Sequence, residues 1–129
     1  MEFERYQRDH LNGVLDICMV EGWKSYSSDP ERTHRVLTAH GVTTIVAVEQ
    51  ALICGFVQIQ SDGEIQAHLS VLVVKRDRRR QGIGQKLIAH GFQAAGGKRI
   101  DLVTDDAQEF YQSMKHSPKF GFRLYPEIG

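Results

Sequence analysis

The sequence predicts an α/β fold of the α+β kind, with a mixed, mostly antiparallel central sheet flanked by helices in the order β-α-α-β-β-β-α-β-α-β. Three observations carry this. "VTTIVAVE" and "ALICGFVQIQ" are β-branched runs separated only by a tight turn near Gln50-Ala51. "IQAHLSVLVV" comes after a second turn, "SDGE", so three consecutive strands should lie antiparallel. The third of these strands runs through a cationic turn into an amphipathic helix and then "RIDLVT", a β-α-β unit that adds a parallel strand and a helical layer.

From the N-terminus, "EFERY" reads as a short first strand. Asp9 is placed to cap a helix whose apolar face is Leu11, Val14, Leu15 and Cys18, at helical spacing, with Gly22 breaking it. "SSDPERTHRVLTAHG" carries helix punctuation: Asp29 as N-cap, Pro30 in the first turn, Gly41 past the end. Gly63 in "SDGE" supplies the positive φ of a turn. "IQAHLSVLVV" alternates in its first half and is continuously apolar in its second, as a strand does when it enters the interior. A helix from Gly84 puts Leu87, Ile88, Gly91 and Ala95 on one face and ends at Gly96-Gly97. "DDAQEFYQSMK" reads as a helix with Asp106 as N-cap and Glu109 three residues on, an acidic capping box. "FGFRLYPEIG" reads as a final strand.

The 129 residues suit a single domain, 1–129, long enough to bury a core. Lys plus Arg and Asp plus Glu number 16 each, so no net field steers the chain to nucleic acid or an anionic membrane. No apolar run approaches a membrane span, and "MEFERYQRDH" lacks the apolar stretch of a signal peptide. Cys18 and Cys54 lie in apolar segments without metal-ligand spacing. They read as reduced core residues, and the expectation is a cytoplasmic protein.

The chemistry is concentrated in "VLVVKRDRRRQGIGQKLIAHGF", Val71 to Phe92. Cations crowd the point where a strand hands over to a helix. A helix N-terminus presents N–H groups without internal partners and a partial positive charge, so backbone alone can bind an anion there. Glycines let that backbone approach closely, and Lys75, Arg79 and Arg80 add charge. The spacing is neither a Walker loop nor G-x-G-x-x-G, since Leu87 stands where the third glycine would be. It is R-x-x-G-x-G, Arg79 to Gly84. The alternative is a solvated basic turn.

This stretch resembles the acetyl-CoA-binding core motif of the GNAT acyltransferase superfamily, and "VTDDAQEFYQS" resembles the family's later segment with an aromatic pair beside the cofactor sulfur. The strand order matches over most of the chain. The resemblance implies an N-acetyltransferase with acetyl-CoA as cosubstrate. It implies that Leu72, Val73 and Val74 meet the pantetheine arm through main-chain groups. Arg79, Arg80, Gln81, Gly82, Ile83 and Gly84 would hold the pyrophosphate, and Asp105 or Asp106 would face the cofactor. Two departures stand out: "MKHSPK" is interposed before "FGF", and only one strand comes after it where many relatives have two.

Acetyl transfer to an amine requires a proton to leave the amine, donors for the oxyanion and an acid for the departing thiolate. The resemblance puts the base at His68 on the long strand, with Ser70 two residues on holding a water, and the acid at Tyr111. Taken by itself, a strand histidine is a structural residue and Tyr111 a core aromatic beside Phe110. The oxyanion donor would be a main-chain N–H near Val73. Trp23 and Tyr26, in a loop between helices, would line the acceptor site or pack as lids.

Three functions remain open at this point. The first is acetyl transfer to a primary amine of a small-molecule acceptor. The second is a non-catalytic acyl-CoA sensor, and the third is nucleic-acid binding through "KRDRRR", which the charge balance opposes. The apolar final segment, Phe120, Phe122, Leu124 and Tyr125, predicts an exposed sheet edge and a homodimer that covers it.

Overall fold

The computed structural model describes residues 1–127. Five strands form a sheet in the order β1-β2-β3-β4-β5: Glu2–Arg5, Val42–Glu49, Leu52–Ser61, Gln66–Val74 and Arg99–Asp101. The first four pair antiparallel and β5 pairs parallel to β4. The β2–β3 turn falls at Gln50 and Ala51, both at positive φ (51° and 68°), the paired left-handed geometry whose twist suits a two-residue hairpin.

Helices α1 (Leu11–Glu21), α2 (Lys24–Ser27) and α3 (Pro30–Leu37) cover one face. Leu11, Val14, Ile17, Cys18 and Leu37 pack there on Val46, Phe56 and Val73. Helix α4 (Ile83–Ala95) covers the other face, where Ile83, Leu87 and Ala95 meet Ile45, Val57, Ile59 and Leu69. Leu87 and Phe56 are fully buried, each worth about 1.5–3 kcal/mol relative to exposure. Cys18 and Cys54 are buried and unpaired. No helix among the described residues is long and apolar enough to cross a membrane.

Asp29 caps α3 as its sequence position indicates, accepting from the Arg32 N–H at 3.1 Å. Asp9 does not cap α1. Arg8–His10 form a 3-10 turn that runs into α1, so His10 is already helical (φ −86°, ψ −9°) and leaves no extended cap position for a carboxylate to serve. Trp23 and Tyr26 do not sit in an open loop, because Lys24–Ser27 winds into one helical turn. Asp106 does not cap the last helix either. Helix α5 (Gln108–Gln112) begins one residue too late for that box, and the Ala107 N–H is taken by Thr104 Oγ1 at 3.1 Å.

The final segment departs most from expectation. Through residue 127 it forms no strand and leaves the outer edge of β5 unpaired, and Phe120, Phe122, Leu124 and Tyr125 are all exposed. The last two residues of "FGFRLYPEIG" lie outside the described residues.

Candidate active site

Strands β4 and β5 pair only over Gln66–Arg99, Ala67–Ile100 and His68–Asp101. Beyond His68, β4 continues to Val74 against β3 alone. The sheet therefore splays open, and one side of β4 faces a gap. Main-chain direction along β4 is readable from its partners. The Lys75 N–H donates to the Cys54 carbonyl at 2.7 Å, and the Val73 carbonyl lies against Gly55, so both point to β3. Main-chain groups alternate sides along a strand, so those of Leu72 and Val74 face the gap and those of Val73 do not. The gap-facing N–H groups nearest Val73 are thus those of Leu72 and Val74, on either side of it.

A register shift precedes this stretch. Gln58 pairs with Val71 and Ile59 with Leu69, leaving Ser70 unpaired. Such a bulge reverses the facing of the residues beyond it. Accordingly Ala67 and Leu69 pack on the α4 side, and Val71 and Val73 on the α1 side.

At the end of β4 the chain turns through a short 3-10 segment, Arg76–Arg78, into α4. Arg80 and Gly82 both have positive φ, 64° and 82°. The first helical bond is from the Lys86 N–H to the Gly82 carbonyl. No described residue accepts from the N–H groups of Gln81, Gly82, Ile83, Gly84 or Gln85. They form a helix terminus with unpartnered donors beside open space, since nothing lies within 4 Å of where a Gly82 Cβ would stand, and such a terminus is able to take an anion. This fits a pyrophosphate held by backbone, next to a strand edge able to pair with an amide-bearing arm. A Cβ on Gly84 would come within 3.0 Å of Phe110, so α5 is seated directly on the start of α4.

The cations are mostly engaged within the protein. Lys75 pairs with Asp77, Arg76 and Arg79 with Glu21, and Arg78 with Glu49. Arg79 Nε also donates to the Val74 carbonyl at 2.9 Å. Arg80 alone of this cluster has no carboxylate partner among the described residues, and it is exposed.

Tyr111 follows Phe110 on α5, and the two rings meet edge to face at 4.9 Å. Burial pushes the Tyr111 phenol above its usual value, and its hydroxyl bonds to no described residue. It is neutral and holds a proton. His68 is exposed on β4, between Gln60 and Asp101 in the ladder. Ser70 lies nearby and accepts from Gln60 Nε2 at 3.1 Å. On the same side, Tyr26 donates to Gln58 Oε1 at 2.8 Å, and burial raises its phenol as well. Trp23 and Tyr26 pack on the core that contains Val71 and Val73. The structure thus joins Tyr26 to β3, the strand paired with β4. An open depression of about 610 Å³ borders His68, Gln60, His40 and Asp101. Asp106 is exposed, and its side chain bonds to no described residue of the loop.

Sequence reasoning missed Glu21, Gln58, Gln60 and Asp101. Glu21 reads as a helix-surface residue, and Gln58 and Gln60 as polar steps of an alternating strand. Only their cross-strand or cross-element partners give them a role.

Residues 40–115, more than half of the chain, match the model of the acetyltransferase (GNAT) domain family. The chain belongs to that family. Comparison with curated protein sequences gives no match. Among solved structures, the chain is similar to the aminoglycoside N-acetyltransferase AAC(6')-Iy in complex with CoA, at TM-score 0.79 and 13% identity, covering 99% of this chain and 100% of that one. It is also similar to the aminoglycoside acetyltransferase meta-AAC0020 from an uncultured soil metagenomic sample, solved with sisomicin, at TM-score 0.77 and 22% identity over 99% and 96% of the two chains. A ribosomal-protein-alanine N-acetyltransferase from Brucella melitensis biovar Abortus 2308 gives TM-score 0.76 at 14% identity over 96% of each. At these identities the likeness is one of fold.

Proposed function

We propose that this protein moves an acetyl group from acetyl-CoA to a primary amine of a small-molecule acceptor, by direct attack through a tetrahedral intermediate. The observation that carries the reading is the gap-facing edge of β4 running into a helix terminus with unpartnered N–H groups. In this reading Leu72 and Val74 pair with the pantetheine arm, and Gln81, Gly82, Ile83 and Gly84 bind the pyrophosphate with Arg80 beside them. The Leu72 N–H, just past the bulge, donates to the oxyanion. Tyr111 returns a proton to the leaving thiolate, a role its raised phenol suits because the group stays protonated at neutral pH. His68 takes the amine proton, directly or through a water at Ser70. Trp23 and Tyr26 border the acceptor.

Two unpaired buried cysteines favour a reducing compartment, and with it the cytoplasm. Four exposed apolar side chains, Phe120, Phe122, Leu124 and Tyr125, together with β5 at the sheet edge, favour a homodimer. Sedimentation equilibrium tests it: a single species at 14.6 kDa at every concentration refutes the dimer.

The test of the activity is a panel of amines (diamine, aminoglycoside, amino acid, lysine peptide) incubated with acetyl-CoA and read by product mass. Acetylation of at least one small amine, dependent on Tyr111, is expected. Saturable acetyl-CoA binding without any acetylated product would instead make the protein a sensor.

A further inference from the structure

Glu21 is the last residue of α1. A carboxylate at that end of a helix faces the negative end of the helix dipole, so the helix itself gives no reason for it. Its partners do. Its Oε2 accepts from Arg76 Nε at 3.1 Å and from Arg79 Nη2 at 3.2 Å. Glu21's side chain is only 17% exposed, against 62% and 46% for the two arginines. The Val20 carbonyl receives a further bond from Arg76 Nη2. These contacts span 55 to 58 residues of sequence.

The far side of Arg79 is also engaged, through Nε to the gap-facing carbonyl of Val74. A continuous chain of charge-assisted bonds therefore runs from the end of α1, through Glu21 and Arg79, to the end of the β4 edge. Three residues beyond Arg79 lies Gly82, where the helix terminus with unpartnered N–H groups begins. On the other side of Glu21, Gly22 turns the chain into Trp23 and Tyr26. Arg79 is the first residue of the R-x-x-G-x-G pattern, yet its guanidinium faces Glu21 and Val74 and not the open space above Gly82.

We propose that Glu21 is a positioning residue for the cosubstrate loop. By holding Arg76 and Arg79 it fixes the turn between Lys75 and Gly82, so that the N–H groups of Gln81 to Gly84 converge on one anion. It also ties that loop to the Trp23–Tyr26 segment on the acceptor side. Arg79 then acts on the loop and not on the phosphate, and Arg80 is the cation left to meet it. This rests on the reading of the loop as the coenzyme A site.

The test is titration calorimetry with coenzyme A, with no acceptor present, on the wild type, Glu21→Gln, Glu21→Asp, Arg79→Gln and the Glu21→Gln/Arg79→Gln double variant. Glu21→Gln is expected to weaken binding at least fivefold. Arg79→Gln should do the same, and the double variant should lose clearly less than the two single losses combined, because the Glu21–Arg79 bond is cut in both single variants. Glu21→Asp keeps the charge one methylene short and should fall between wild type and Glu21→Gln, which a role in packing alone would not produce. It also keeps the test alive if Glu21→Gln does not fold. In steady state, Glu21→Gln should raise the KM for acetyl-CoA with kcat changed less than twofold. Affinity within twofold of wild type in Glu21→Gln, or tighter binding because a competitor for the arginines has gone, overturns the proposal. Additive losses in the double variant do so as well. If the wild type itself fails to bind coenzyme A, the reading of the site is what fails.

Discussion

Replacing Gly82 by alanine separates the cost of a backbone conformation from the loss of a binding surface. Gly82 sits at φ 82°, and no atom lies within 4 Å of a Cβ built there. The methyl therefore meets no steric clash in the free protein. What it meets is the left-handed penalty, about 1 kcal/mol for an L-residue. For a chain of this size that lowers Tm by roughly 3–5 °C. The same methyl would narrow the open space beside the N–H groups of Gln81 to Gly84, where the proposed pyrophosphate comes into hydrogen-bond range. Holding a phosphate an ångström further off costs at least about 1.4 kcal/mol, a tenfold rise in Kd for coenzyme A. Gly63 provides the control. It has φ 85°, it too has nothing within 4 Å, and it lies in the β3–β4 turn. Gly63→Ala should show the same drop in Tm and an unchanged Kd. The assays are thermal unfolding by circular dichroism and titration calorimetry. Equal Kd values for the two variants would refute the assignment of the pyrophosphate to this terminus.

Tyr111→Phe should lower kcat about 100-fold or more while leaving acetyl-CoA affinity within twofold, since only the proton donor is removed; an unchanged kcat in steady-state assays would take Tyr111 out of the mechanism. His68→Gln should lower kcat about 100-fold, and a wild-type rate would exclude the imidazole as base. Burial raises the phenols of Tyr6, Tyr26 and Tyr111. Their contribution to stability is whole below pH of about 10 and is lost as pH rises through the folded values, because the unfolded chain ionises first. Burial pushes the Cys18 thiol up to about 11 as well, so urea midpoints should begin to fall above pH of about 9 and fall more steeply above about 10; a flat profile through pH 11 would contradict this burial. Asp62 accepts from the N–H groups of Glu64, Ile65 and Gln66, which hold its carboxyl below the usual range. Asp62→Ala should therefore lower Tm at neutral pH, and the deficit should shrink in acid, where the wild-type carboxylate is lost too.

Much of the scaffold was legible because its signals are local. Asp29 before Pro30 specifies a helix start by chemistry within one turn. Two β-branched runs around Gln50-Ala51 leave the chain little but a hairpin. The R-x-x-G-x-G loop between an apolar strand and an amphipathic helix marks the strand-to-helix turn without reference to anything distant. The errors share a different cause. Asp9 and Asp106 are good caps by residue type, but the preceding 3-10 turn and the Thr104 hydroxyl shifted the helix starts away from them. The bulge at Ser70 was invisible because Val71 to Val74 are apolar on both faces, and a run without alternation has no phase to break. Glu21 finds its arginines across more than fifty residues, which no window on the sequence spans. The apolar spacing of "FGFRLY" suits a strand, but spacing does not choose a partner, and through residue 127 the segment pairs with no strand although the outer edge of β5 is open.

In the proposed complex, coenzyme A lies along the gap side of β4 and ends its pyrophosphate on the start of α4. Amide chemical shifts during a titration with coenzyme A test this most directly, at single-residue resolution. The largest shifts should fall on Gln81, Gly82, Ile83 and Gly84, with Leu72 and Val74 moving at the same concentration and Val73, bonded to β3, moving less. Shifts gathered instead around His40 and Asp62, or spread without preference over the surface, would contradict it.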